Sequence, residues 1–196
     1  GFFYSYASVY AQKLPKKKSM TKSIISLLKY FAMTISSGLA GELKYEASNT
    51  RKMLTGIPEH QLEWRPHEKS MSLGRLACHI AELPRWINCI MANTEFDLAK
   101  DTFNRFNASS KDEIITGFEA IMLQGVELLE KVPDEALNIK WTFRKGEIKS
   151  FELPRKVVIR NLVMNHIIHH RAQLSVYVRL LNVPVPGMYG PSADEH

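Results

Sequence analysis

Residues 154–181 read PRKVVIRNLVMNHIIHHRAQLSVYVRLL, and this stretch predicts a long amphipathic helix that packs into a bundle. A proline suits the first turn of a helix, so the helix is expected to begin at Pro154 and to extend to about Asn182. At about 100° per residue, one arc of this helix is expected to face the core. Its members are Ile159, Leu162, Val163, His166, Ile167, His170, Leu174, Tyr177, Leu180 and Leu181. The opposite side carries Arg160, Arg171, Ser175 and Arg179.

Two histidines lie on the inward arc of this helix. His166 and His170 are four residues apart, which places them one turn above each other on the same face. They can therefore bind one cation, and Gln173 is expected to orient a ligand or the substrate from the same face. His169 lies at the edge of the arc and is expected to take no part. The alternative is a set of core histidines that hydrogen-bond to side chains or carbonyls, because a buried polar group needs a partner.

A second predicted helix, near residues 71–92, supplies a third histidine. Its apolar residues recur at helical spacing: Leu76, Ile80, Leu83, Trp86, Ile87 and Ile90. His79 lies within this stripe, whereas Cys78 points about 100° away from it. Ligands from two facing helices are typical of metal sites in bundles, and three imidazoles leave a tetrahedral cation one open position. The pattern predicts a catalytic metal site formed by His79, His166 and His170.

Two acids are candidate proton acceptors for such a site. Glu46, with Thr50, interrupts the apolar stripe of a helix predicted near residues 38–56; they are expected to line a pocket or to mark an imperfect stripe. Glu82 lies about 60° from the direction of His79, where a surface acid is the commoner interpretation. The metalloprotease pattern His-Glu-x-x-His is absent, because Ile167 follows His166. No Gly-x-Ser-x-Gly or phosphate-binding Gly-Lys-Ser/Thr motif is present either.

The remaining patterns complete an all-α fold. A capping box at Ser110 to Glu113 begins a helix that is expected to reach Lys131. Pro84 should kink the second helix. Alternation around Lys145-Gly146 predicts a short β-hairpin before the last helix. Four amphipathic helices with one long connection predict a four-helix bundle.

Composition limits the function classes. The 196 residues are 45% apolar, which predicts one globular domain over residues 37–196 after an N-terminal extension over 1–36, partly helical near 22–34 or disordered. The net charge is +6, but four lysines within residues 1–19 leave +2 for the rest, so no specific nucleic-acid binding is expected. The sequence contains no run of about 18 apolar residues, so no membrane span is expected. Cys78 and Cys89 lie about 16 Å apart along one helix and should be free thiols, which favours the cytoplasm.

Three segments resemble the DinB/YfiT-like family. They are WRPHEKSMSLGRLACHIAELP at residues 64–84, the His-x-x-x-His pattern of His166 and His170, and YGPSADE at residues 189–195. The resemblance spans roughly residues 38–195. It implies a four-helix bundle, often a homodimer, with nickel or zinc on His79, His166 and His170.

The resemblance also implies several activities. Some relatives are metal-dependent thiol transferases, including enzymes that use bacillithiol or mycothiol, and others are described as hydrolases. The first hypothesis is therefore a transferase that joins a low-molecular-weight thiol to a small electrophile. The second is a metal-dependent hydrolase of a small substrate, and the third is a metal-binding dimerisation module without turnover.

Overall fold

The computed structural model describes residues 34–195. Its helices are α1 (Ile35–Thr55), α2 (Leu73–Glu82), α3 (Arg85–Ala92), α4 (Lys111–Lys131), α5 (Asp134–Asn138), α6 (Arg155–Ile159) and α7 (His166–Leu180). Its strands are β1 (Glu95–Asp97), β2 (Lys140–Lys145) and β3 (Ile148–Pro154). Among these residues, no helix is long and apolar enough to cross a membrane. The predicted extension over residues 1–36 lies almost wholly outside this part of the chain and stays a prediction.

Four helical segments form the bundle that the sequence predicts. They are α1, the split helix α2–α3, α4, and the last helix, α6–α7. α1 packs against α4 and α7, and α2 packs against α4 and α7, so each long helix has two neighbours. Apolar side chains from every helix meet in one core, including Leu43 of α1, Ile80 of α2, Phe118 of α4 and Leu174 of α7. The predicted four-helix bundle is confirmed.

Pro84 divides the second helix rather than only bending it. α2 ends at Glu82, α3 begins at Arg85, and the two residues between them form a helical turn. The expected kink at this proline is therefore a break between two helices. A glycine on α4 lets α3 approach closely, because a Cβ at Gly125 would lie 2.9 Å from the Cδ1 atom of Ile87.

The last helix differs from the uniform helix predicted over residues 154–182. A π-helical segment, Arg160–Asn165, separates α6 from α7, which ends at Leu180. Two predictions from the helical wheel are wrong. Leu180 is 56% exposed where α7 ends, and Arg171, expected to face solvent, is only 2% exposed. Arg171 is buried because α7 packs against both α1 and α2, so two of its faces lie in the interior rather than one.

The hairpin predicted around Lys145-Gly146 is confirmed, and a third strand joins it. β2 pairs with β3 in antiparallel register, and Gly146 at the turn has a φ of +58°, which favours glycine. β1 pairs with β2 in parallel, giving the strand order β1-β2-β3. The sequence gives no signal for β1, since three residues are too few to show alternation. The sheet lies beside α3 and presents aromatic side chains to it.

Candidate metal centre

The fold brings together the three histidines that the helical patterns predict. His79 comes from α2, and His166 and His170 come from the first turns of α7. Their ring centroids are 4.6 to 5.3 Å apart. One potential ligand atom from each side chain lies within 4.8 Å of the other two, and the Nε2 atoms of His166 and His170 are 2.9 Å apart. The structure shows a three-histidine cluster; metal binding there stays a prediction.

Each ring of the cluster is oriented by a second group. The Nδ1 atom of His79 lies 2.7 Å from Oε1 of Glu82, and Nδ1 of His170 lies 2.7 Å from Oε1 of Gln173. The backbone carbonyl of Leu162 accepts a hydrogen bond from the His166 ring. A partner on the other ring nitrogen is typical of metal-binding histidines, because it fixes the tautomer and turns the free nitrogen toward the ion.

The residues fit a divalent cation. Metal–nitrogen bonds of about 2.0–2.1 Å to zinc require ligand nitrogens roughly 3 to 4 Å apart, close to the spacing in the cluster. Burial lowers the pKa of His166, and the other imidazoles lower it further when charged. Burial also lowers the pKa of His170 to about 4, although the hydrogen bond to Gln173 opposes the shift. Both imidazoles are therefore neutral near pH 7, the form that binds metals.

Glu82 is buried beneath the cluster and is not the surface acid that its position suggested. It is 2% exposed and accepts hydrogen bonds from His79, from the guanidinium of Arg75 and, at 2.6 Å, from the Phe106 N–H. Burial alone would raise its pKa, but these bonds and the Arg75 charge hold the pKa below its usual range. Glu82 thus stays ionised with its oxygens occupied, as a positioning residue for His79. Its spacing of three residues from His79 is the signal that could have found this role.

Glu46, the other candidate acid, lies in a separate buried network. Its carboxylate forms an ion pair with Arg171 at 2.6 Å and accepts a hydrogen bond from the Tyr189 hydroxyl at 2.8 Å. Arg171 also donates to the Thr50 hydroxyl at 3.0 Å. The polar positions on the α1 stripe therefore pair with Arg171, and neither Glu46 nor Thr50 lines the cavity beside the histidines. No local pattern in the sequence predicts the pairing of Arg171, because its partner Glu46 lies 125 residues away.

A cavity of about 650 Å³ opens beside the histidine cluster. Its walls come from α2 and the residues just before it, α3, the strands β1 and β2, the connection after β1, the π-helical segment and the start of α7. The lining residues are Met71, Arg75, His79, Glu82, Trp86, Phe96, Leu98, Asp101, Thr102, Phe103, Arg105, Phe143, Leu162 and His166. This volume lies within the range of small-molecule sites, and most of the wall is apolar.

A helical bundle with inward histidines from two facing helices defines the class of protein, and sequence comparison gives the family. The sequence model of the DinB family matches residues 34–196. The chain therefore belongs to the DinB family. YrdA of Bacillus subtilis strain 168, an uncharacterised protein, is 24% identical over 155 residues, which cover 78% of this chain and 86% of YrdA.

Solved structures share the fold. A DinB-like protein of Bacillus cereus ATCC 10987 has a TM-score of 0.60 and 25% identity, over 78% of this chain and 96% of its own. The DinB-like protein YjoA of Bacillus subtilis has a TM-score of 0.60 and 18% identity, over 81% and 99%. YfiT of Bacillus subtilis, described as a probable metal-dependent hydrolase with an unusual four-helix bundle topology, has a TM-score of 0.57 and 11% identity, over 86% and 94%.

Proposed function

We propose that this protein is a metal-dependent enzyme that activates a thiol for transfer to a small electrophile. His79, His166 and His170 hold a divalent cation, nickel or zinc, and substrates enter through the adjoining cavity. The observation that carries the proposal is the convergence of three histidines, each oriented by a second group, at the edge of a cavity. When bound, such a cation lowers the pKa of a thiol or a water at its open position.

The surroundings of the cluster favour an enzyme over a non-catalytic module. Within residues 34–195, no fourth histidine, cysteine or acid joins the group of potential ligands. The Glu82 carboxylate already accepts hydrogen bonds from Arg75, His79 and Phe106. A structural site would instead have a fourth protein ligand. His79 and His166 line the 650 Å³ cavity, which leaves room for a reacting molecule beside the cluster.

A thiol is the better nucleophile for this site because both carboxylates that line the cavity, those of Glu82 and Asp101, already accept hydrogen bonds from the protein. Water in bulk has a pKa of 15.7, whereas a free thiol titrates near 8.5, so a thiol needs much less help to lose its proton. The second candidate function is hydrolysis of a small substrate. It is supported by the description of YfiT, which shares the fold, as a probable metal-dependent hydrolase.

Metal analysis of untagged protein tests the site. We expect nearly one equivalent of nickel or zinc in the parent protein and loss of that metal in His79→Ala and His170→Ala. The matched control is His169→Ala, because His169 is exposed and adjoins His170 without joining the cluster. The control should retain the metal of the parent. Equal metal in all four proteins would refute the assignment.

Activity measurements separate the two reactions. Zinc- or nickel-loaded protein is mixed with 2-mercaptoethanol and 1-chloro-2,4-dinitrobenzene, and in parallel with 4-nitrophenyl acetate alone. The transferase proposal expects saturable conjugation that disappears on chelation and in His170→Ala. Ester hydrolysis with the same metal dependence, and no conjugation, would favour the hydrolase. No metal-dependent rate in either assay, with metal bound, would favour the non-catalytic module.

Two further expectations remain part of the proposal. The resemblance to the family suggests a homodimer, which sedimentation of the full chain would test. The free thiols of Cys78 and Cys89 agree with a reducing compartment such as the cytoplasm.

A further inference from the structure

An aromatic wall forms one side of the cavity beside the histidine cluster. Trp86 stacks on Phe103 with ring centroids 4.4 Å apart and planes inclined by 10°. The edge of Trp86 meets Phe96 at 4.9 Å, and Phe96 lies parallel to Phe143 with centroids 6.0 Å apart. Because each ring is held by its neighbours, the wall offers fixed apolar surfaces to a bound molecule.

One cationic side chain that lines the cavity has no hydrogen-bond or ion-pair partner among residues 34–195. Arg75 and Glu82 are paired with each other, and Asp101 accepts a hydrogen bond from the backbone N–H of Asp97 at 2.7 Å. Arg105 is exposed, lines the cavity and makes no hydrogen bond or ion pair within the described part of the chain. Its guanidinium is therefore free to bind a carboxylate or phosphate in a two-point contact.

We infer that the electrophilic substrate is an aromatic molecule that carries one anionic group. This inference rests on the proposed function and specifies its substrate class. The aromatic ring lies against the wall formed by Trp86 and Phe103, the anionic group pairs with Arg105, and the reacting end faces the histidines. A small, fully polar molecule would leave the apolar wall exposed to water and gain little from it.

Three probe molecules separate the two features of the proposed substrate. They are 2-naphthoate, the uncharged 2-naphthylmethanol and the flexible octanoate, each titrated calorimetrically into the full chain after dialysis against a chelator. We expect 2-naphthoate to bind most tightly. Naphthylmethanol should bind roughly two- to fivefold more weakly, as is typical for loss of an exposed ion pair. Octanoate should bind about threefold more weakly or worse, because it lacks a ring to stack.

Two variants locate the contacts. Arg105→Gln should reduce the affinity for 2-naphthoate to that for naphthylmethanol and leave naphthylmethanol unchanged. Arg65→Gln is the matched control, because Arg65 is exposed and does not line the cavity. Phe103→Leu keeps an apolar side chain but removes the stacked ring, so it should weaken 2-naphthoate more than octanoate. Circular dichroism checks that each variant is folded.

Several outcomes would overturn the substrate class. They are octanoate binding as tightly as 2-naphthoate, Arg105→Gln binding 2-naphthoate as well as the parent, and no saturable binding of 2-naphthoate below about 1 mM. These titrations contain no metal, so they are independent of the metal analysis. Metal retention without naphthoate binding would refute only the substrate class. Naphthoate binding without metal retention would refute only the proposed metal centre.

Discussion

Replacing Glu82 by glutamine removes the charge that connects a histidine of the cluster to the wall of the cavity. The carboxylate bonds the His79 ring through Oε1 and the Phe106 N–H through Oε2, and Arg75 pairs with it while donating to the Phe106 carbonyl at 2.8 Å. Glutamine has nearly the same shape, but its amide offers two donors where the carboxylate had only acceptors. At least one of these three contacts must therefore place a donor against a donor, and two must if the amide nitrogen takes the place of Oε1.

The size of the effect follows from these contacts. Loss of a carboxylate that orients a metal-binding histidine typically lowers metal affinity 10- to 100-fold, which is about 1.4 to 2.7 kcal/mol. Hydrogen bonds to a charged group contribute roughly 1.5 to 3 kcal/mol each, and Glu82 is only 2% exposed. Since glutamine keeps one acceptor, we expect Glu82→Gln to lower the free energy of unfolding by about 2 to 4 kcal/mol.

Three measurements test this reasoning on the folded variant. Competition with a chromogenic chelator gives the zinc affinity, urea unfolding gives the stability, and brief trypsin treatment reports cleavage after Arg105, next to Phe106. Cleavage should be faster in the variant, because Phe106 loses its charged acceptor. Glu127→Gln is the control: Glu127 forms an exposed pair with Lys131, so its loss should cost less than about 0.5 kcal/mol and leave zinc affinity unchanged. Parent-like zinc affinity in folded Glu82→Gln would refute the positioning role.

Three further predictions concern His170, Arg171 and Gly117. In metal-free protein, the pKa of His170 is about 4, against an ordinary histidine pKa of 6.5, so between these pH values the unfolded chain binds more protons than the folded one. The free energy of unfolding should therefore fall as pH drops through this window, and urea titrations of His170→Gln should show a shallower slope. Arg171→Met leaves the Glu46 carboxylate buried without its cation and should cost about 3 to 5 kcal/mol in urea unfolding; a cost below 1 kcal/mol would contradict a tightly coupled pair. Gly117→Ala places a Cβ 2.2 Å from the Phe106 ring, so tryptic cleavage should accelerate while zinc affinity stays near that of the parent.

Local signals in the sequence predicted most of the framework. Apolar spacing located the long helices, and the Ser110 side chain accepts from the Glu113 N–H as the capping box predicts. The spacing of His166 and His170 placed both on one face, and the stripe around His79 added the third histidine. Such signals are sufficient because a helical face depends only on residues within a few turns of each other.

Only the tertiary structure decided which side chains of different segments pair with each other. The burial of Arg171 depends on Glu46, a residue of another helix, and the anchoring of Phe106, in the connection after β1, depends on Glu82 of α2. The π-helical segment before His166 leaves no periodic pattern in the sequence, so it could not be predicted. Helical spacing therefore determined which side chains share a face. Only the packing of distant segments determined which side chains are buried together, because the free energy of burying a polar side chain depends on the partner that replaces water.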